Sequence, residues 1–362
     1  MENLDIFQVM DYLVKAEGSD IHIVVGSPLA LRINGQLTTP FTDAPLTEEQ
    51  AQALIFPLLT QEQQEFIQAN KELDFGYQYQ NFGRFRVNVY KVIAGFSAAL
   101  RLIPSQIKKI DELNLPEIFH QFSHFNQGLV LLTGPTGEGK STTLAAIIDE
   151  INETRNEHII TIEDPVEFIH TPKKSIISQR EIGSDTNGWE IALRSVLRED
   201  PDIVLIGEMR DFETIAAAIT IAETGHLVFS TLHTNTAAET LDRMVDVFPA
   251  DQQEQIRQQL AATVKAVASQ RLLPTTDGKR VAAVEILIAN SGIRNLIREG
   301  KTHQIETMMQ TGADEGMILF ESYLKLLLQQ GVITKETAIT HAFRPKEMQR
   351  AIELLESGTG GY

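Results

Sequence analysis

The segment Gly134-Pro135-Thr136-Gly137-Glu138-Gly139-Lys140-Ser141 constrains this chain more than any other. It fits G-x-x-x-x-G-K-[ST] and stands between an apolar run, Leu129–Thr133, and a helix-forming run from Thr142 to Ile151. Strand, glycine-rich loop and helix in that order make a phosphate cradle. The glycines let backbone N–H groups curl around the anion, Lys140 brings charge to the β/γ oxygens, and the Ser141 hydroxyl is placed to ligate Mg²⁺ at the positive end of the helix. A glycine-rich turn with a chance Lys-Ser is the bland competitor, and the flanking strand and helix argue against it.

Around this loop, short apolar runs alternate with helices, the rhythm of an α/β domain built on a mostly parallel sheet. Besides Leu129–Thr133 the runs are Ile159–Ile162, Ile203–Ile206 and Leu227–Phe229. Beyond about Asp251 the pattern reads as helical, apart from Val281–Ile288. Ligands of open parallel sheets sit outside the carboxyl ends of the strands, and each run is followed there by a polar group. Glu163 ends the second, Glu208 follows the third and His233 stands shortly beyond the fourth. ATP hydrolysis needs an acid near Mg²⁺ and a carboxylate that orients or deprotonates water. Glu163 is read as the general base and Glu208 as the acid near the metal, with their roles interchangeable on sequence alone. His226 and His233, seven positions apart, fall on opposite faces of one strand, which argues against a shared metal site. His233 is a candidate sensor of γ-phosphate. An acid beside triphosphate is unexpected at Glu138; its carboxylate is expected to point outward and to weaken nucleotide binding by repulsion.

Composition narrows the partners. Of 362 residues, 31 are Lys or Arg and 49 Asp or Glu, a net charge of −18 that repels nucleic acid over most of the surface. Cysteine is absent, which removes disulfides, thiol catalysis and Cys-based zinc sites. No apolar run approaches the ~18 residues of a membrane span, so direct membrane insertion is not expected. A cytoplasmic protein is expected, reaching a membrane through a protein partner. Residues 1–103 read as an α+β module, with Asp20–Val25 strand-like, Asn34-Gly35 a turn, Thr47 opening a helix and a second helical stretch ending near Asn70. Phe85–Tyr90 and Ala98–Ile103 read as further strands, 104–116 as a proline-bracketed linker, 117–362 as the second domain, and Ser357 to Tyr362 as a tail. Arg84 and Arg86 share one side of their strand by its period of two, and Arg101 lies on the next. Arginines from a neighbouring domain or subunit stabilise charge on a transferring phosphoryl group.

Taken in order, these motifs resemble those of the secretion-ATPase superfamily and, within it, the type IV pilus retraction motors. Ile160–Glu167 looks like that family's Asp box, Ile203–Asp211 its Walker B region and Thr224–Thr234 its His box, which adds His226 to the nucleotide-binding set. Gly83–Asn88 and Leu100–Pro104 look like its arginine-bearing strands, and Ile293–Glu299 like a retraction signature in which Arg294 and Arg298 form an exposed charged row. The lack of cysteine agrees with the retraction branch. Glu138 and Gly292 depart from it, standing where the family has a small residue and an alanine. The resemblance implies a PAS-like N-terminal domain, a RecA-like ATPase domain, and a homohexamer with ATP and Mg²⁺ between domains. It further implies work on an inner-membrane platform protein of the pilus machine. An accessory retraction ATPase dependent on a second motor, or a slow nucleotide-dependent regulator, are the alternatives.

Overall fold

The computed structural model describes residues 4–79, 83–104 and 106–356, so the expected tail lies outside the described residues. Two compact units divide the chain, one built from residues up to Ile107 with Asp164–Ile169, the other from Lys108–Glu163 and from His170 onward.

The first unit holds six antiparallel strands, β1 (Asp20–Ile23), β2 (Ala30–Ile33), β3 (Gln36–Thr38), β4 (Glu72–Tyr79), β5 (Gly83–Val92) and β6 (Gly95–Pro104), in the order β3-β2-β1-β6-β5-β4. Asn34 and Gly35 both take positive φ, the two-residue turn that matches the twist of its flanking strands. The helix Glu48–Ile55 opens at Thr47 with a reciprocal capping box to Gln50. Register sorts the sheet into two faces. Leu31, Ile21, Leu100, Val87 and Phe75 oppose one another in a single row across five strands and are buried. One residue along, on the other face, runs the row Arg32, Asp20, Arg101, Arg86 and Gly76.

The second unit is the expected α/β body. Its strands are β7 (Gly128–Thr133), β8 (His158–Glu163), β9 (Ile176–Glu181), β10 (Ile203–Ile206), β11 (Leu227–Leu232), β12 (Val264–Pro274) and β13 (Arg280–Ile288), ordered β13-β12-β7-β11-β10-β8-β9. All neighbours are parallel except β13, which runs antiparallel to β12. Alternate residues of the central strands feed separate apolar cores on the two faces, with Leu129, Leu131, Ile160 and Val204 in one and Val130, Leu132, Ile159 and Leu205 in the other. β12 corrects the expectation of a helical stretch beyond Asp251. Its small and polar residues, Ala266, Ala268, Ser269 and Gln270, conceal a strand that is buried because β7 and β13 flank it.

In the segment Ile293–Glu299 the expectation of an exposed Arg294 is corrected. Ile293, Leu296 and Ile297 on the helix Ser291–Arg298 are core residues, and Arg294 is no free surface charge. Its guanidinium donates to the carbonyls of Ala261, Ala262, Val264 and Ala289 at 2.5–2.9 Å, satisfying the open end of the helix Gln253–Thr263. Arg298 is exposed. Arg294→Ala is expected to cost about 2 kcal/mol or more, because charged donors are lost from several carbonyls, whereas Arg298→Ala stays within ~0.5 kcal/mol; denaturant melts of the two variants check the contrast.

Glu285 on β13 is a second buried polar group. Its carboxylate accepts from Ala237 N–H at 2.8 Å and from Phe320 N–H, the first residues of the helices Ala237–Asp246 and Phe320–Gln329. Burial pushes the carboxyl up against the pull of the Ala237 N–H, Glu321 and Glu306 add to the push, and it titrates at about 7. A raised acid stabilises the fold fully below its unfolded value and loses that contribution as pH rises through about 7. Glu285→Gln keeps the acceptor without the charge. It should flatten the pH dependence of the melting temperature between the unfolded carboxylate range and neutrality, and raise stability at alkaline pH; thermal melts across that window read both effects.

Candidate active site

The phosphate loop joins β7 to the helix Lys140–Thr154. Gly134, Gly137 and Gly139 all have positive φ, and Gly139 is the residue that turns the chain into the helix. At Gly134 no side chain fits, since a Cβ would stand 2.3 Å from the Gln270 carbonyl oxygen. Lys140 is buried and its Nζ donates to the carbonyls of Gly134 at 2.6 Å and Pro135 at 2.9 Å, so the ammonium is folded back into the loop it serves. Thr136 and Gly137 are exposed at the loop crest, Ser141 is exposed in the first helical turn, and Thr142 is half-buried behind it.

The structure brings Glu163, Glu208 and His233 to the same edge of the sheet. The registers pair Ile206 with both Ile162 and Ser230, and Leu232 with Thr133, so the carboxyl ends of β8, β10, β11 and β7 lie along one edge, β7 and β11 reaching two residues beyond β10. Gly207 packs on Glu163, where an added Cβ would lie 3.3 Å from the Glu163 Cα, and its N–H donates to Ile162 O. The Thr231 hydroxyl donates to Gly207 O at 2.7 Å and Met209 N–H to Thr231 O at 3.0 Å, which fixes the turn carrying Glu208. His233 Nε2 meets Glu208 Oε2 at 3.1 Å; facing a carboxylate, that nitrogen carries the proton. The other oxygen, Oε1, is held by Arg210 Nε. Sequence reasoning missed Arg210, which lies two residues beyond Glu208 in the turn after β10. The structure does not bring His226 to this edge. It precedes the amino end of β11, where Nδ1 contacts the Thr224 hydroxyl and Ile221 O at the end of the helix Phe212–Glu223. Arg84, Arg86 and Arg101 come together in the first unit, on one face of its sheet.

No cluster of three His, Asp or Glu that could hold a metal occurs among the described residues. What the edge offers is a hydroxyl, Ser141, and a carboxylate, Glu208, hard oxygen donors of the kind Mg²⁺ takes together with phosphate oxygens and water. The donor set fits that ion and does not fit a structural zinc site.

β12 supplies residues that sequence reasoning also missed. Gln270 is buried; its Nε2 donates to Glu138 O at 2.7 Å and its Oε1 accepts from the Thr143 hydroxyl at 2.9 Å, so it clamps loop and helix together. The Glu138 carboxylate does not point outward as expected. It accepts the Leu272 N–H, pinning the loop crest to β12. One charge-assisted bond is thereby set against the repulsion of the phosphates. Glu138→Ala should loosen ADP binding, by up to about tenfold if that bond is lost whole, and Glu138→Gln by much less. Calorimetric titration with ADP decides it, because repulsion alone would make the alanine variant bind more tightly.

A family model described as "Type II/IV secretion system protein" matches residues 5–356. The chain is 46% identical over 343 residues to the Type IV pilus retractation ATPase PilT of Pseudomonas aeruginosa, covering 95% of this chain and 99% of that relative. It is also 46% identical over 336 residues to a twitching motility protein of Neisseria gonorrhoeae, covering 92% and 89%. Among solved structures, that of the pilus retraction motor PilT with bound ADP superposes with a TM-score of 0.89 at 44% identity, over 96% of this chain and all of that one. The phosphate loop, the shared edge of strand ends and likeness along nearly the whole chain agree: the chain belongs to the Type II/IV secretion system protein family.

Proposed function

We propose that this chain is an ATP-hydrolysing motor subunit that drives type IV pilus retraction. The observation that carries the reading is the single sheet edge on which the phosphate loop, Glu163 and the Glu208–His233 pair finish together. Relatives named for pilus retraction and twitching motility, matched along nearly the whole chain, supply the biological direction. Gly134 to Thr142 bind the triphosphate through backbone N–H groups, with Lys140 turning from its carbonyl partners to the β/γ oxygens. Glu163 accepts the proton of the attacking water, or orients it. Ser141 and Glu208, the latter through water, hold Mg²⁺, which when bound neutralises charge on the phosphate oxygens. His233 reads the γ-phosphate while hydrogen-bonded to Glu208.

Residues 1–103 form a PAS-like domain, 104–116 a linker and 117–362 a RecA-like ATPase domain. Six copies close into a ring, and Arg84, Arg86 and Arg101 of one subunit complete the nucleotide site of the next. None of the described helices is long and apolar enough to cross a membrane, in keeping with a cytoplasmic ring docked on an inner-membrane platform protein. A second retraction ATPase is a further candidate partner. The ring has no role with nucleic acid, in keeping with its net charge of −18.

Purified protein should release phosphate from ATP with Mg²⁺. Lys140→Ala should abolish turnover, and Glu163→Gln should keep ATP bound while hardly hydrolysing it, because the amide keeps the shape without accepting a proton. Wild-type turnover by Lys140→Ala would overturn the assignment of the loop, and loss of ATP binding by Glu163→Gln would make that residue a ligand rather than the base.

A further inference from the structure

The polar face of the first unit's sheet contains an acid that neither motif nor family resemblance assigned. Asp20 stands between Arg32 on β2 and Arg101 on β6, directly opposite both, and Arg101 is in turn directly opposite Arg86 on β5. Directly opposed like charges repel, so the Arg86–Arg101 pair needs counter-charges at its flanks. It has them. Asp74 lies 3.5 Å from Arg86 Nη2, and Asp20 Oδ1 accepts from Arg101 Nε at 2.8 Å.

The geometry at Asp20 is that of a mount. Its side chain is 9% exposed, while that of Arg101 is 72% exposed. Oδ2 accepts from the Ser19 hydroxyl at 2.7 Å and lies 3.5 Å from Arg32 Nε, so the carboxylate is held in place independently of Arg101. Burial alone would raise this acid; the bonds from Ser19 and Arg101 outweigh it and hold the group below the usual carboxylate range. A guanidinium has five N–H donors in a rigid plane. Engaging the single Nε–H fixes the orientation of that plane and leaves its end-on edge, one N–H from each Nη, as the fork that can grip phosphoryl oxygens.

We propose that Asp20 is a positioning residue that aims the Arg101 fork at the phosphoryl oxygens of nucleotide bound by a neighbouring subunit. This rests on the proposed role of Arg101. Without the buried carboxylate, Arg101 stays on its strand but samples its rotamers freely, and the adjacent Arg86 pushes it away. The loss then appears in the rate of phosphoryl transfer rather than in the binding of ATP.

A double-mutant cycle on the full-length protein tests this, with kcat, KM for ATP and a thermal melt recorded for Asp20→Ala, Arg101→Ala and the double variant. An arginine acting on the transferring phosphoryl group is worth ~10³–10⁵ in rate. Asp20→Ala should lower kcat by about tenfold or more with KM within about twofold, and the double variant should be no slower than Arg101→Ala alone. Asp20→Asn, which keeps shape and an acceptor for Arg101 Nε, should recover part of the loss; it also serves as the test variant if the alanine protein does not fold. Unchanged kcat in Asp20→Ala and Asp20→Asn, with Arg101→Ala collapsed, would overturn the mount and leave the arginine reading standing. Unchanged kcat in Arg101→Ala would overturn both. Fully additive losses would place Asp20 in the stability of the sheet and so overturn the proposal.

Discussion

The approach of Gly134 to β12 is the constraint on which the second unit turns. The chain leaves β7 beneath the Gln270 carbonyl, at a distance that admits no side chain, and bends with positive φ into the phosphate loop. Because β12 is parallel to β7 and runs past its end, Gln270 and Leu272 stand beside the loop and take hold of it at Glu138, and Gln270 also holds the following helix at Thr143. The loop crest is held by a strand far away in sequence, so the N–H groups meant for phosphate are arranged before ligand arrives. Such pre-organisation removes an ordering cost from binding. It also connects the loop to the C-terminal helices. Arg271, between the two bracing residues, donates to Asn235 Oδ1 and lies over the rings of Phe320 and Phe343.

The shared edge of strand ends does the corresponding work for the acids. A parallel sheet packed on both faces tolerates little slip, since a shift of one residue would send every side chain of a strand into the opposite core. Glu163 and Glu208 are therefore carried to the edge by the apolar residues behind them, Ile160, Ile162, Val204 and Ile206, all of them buried. The contact of Gly207 with Glu163 brings the two turns together, and Thr231 ties the second to β11.

How much of this was legible in the sequence follows from where each signal resides. β10 is legible to the residue, and β7 and β8 nearly so, because a strand buried on both faces is an unbroken apolar run. β12 is not, because its burial comes from neighbours while its side chains are small or polar, a pattern that matches no strand template. β9, at the sheet edge, failed for a related reason: Ser178, Gln179 and Arg180 interrupt its apolar start. Arg84 and Arg86 could be placed on one face by strand period alone, whereas joining Arg101 to them needed the register of β5 against β6. Asp20, 81 residues from Arg101, could not be joined to them until the order of strands was known. Glu138 and Arg294 were misread alike, since each finds its partner on an element that sequence distance hides.

The arginines show that composition is a poor guide to what a charge does. Within a chain of net charge −18 every arginine has acids to meet, yet what decides its role is where its donors go. Arg294 spends its donors on four backbone carbonyls and becomes part of a helix end. Arg210 is turned onto Glu208, so its charge is committed inside the site while it stays there. Arg101 gives its Nε to a buried carboxylate and keeps the fork exposed. Only the last arrangement combines a fixed direction with unspent donors, the requirement for recognising an anion that belongs to another molecule. The same residue type is thus structural, internal or outward-facing according to the partner its donors meet, and for Arg101 that partner is brought by strand register rather than by any local motif.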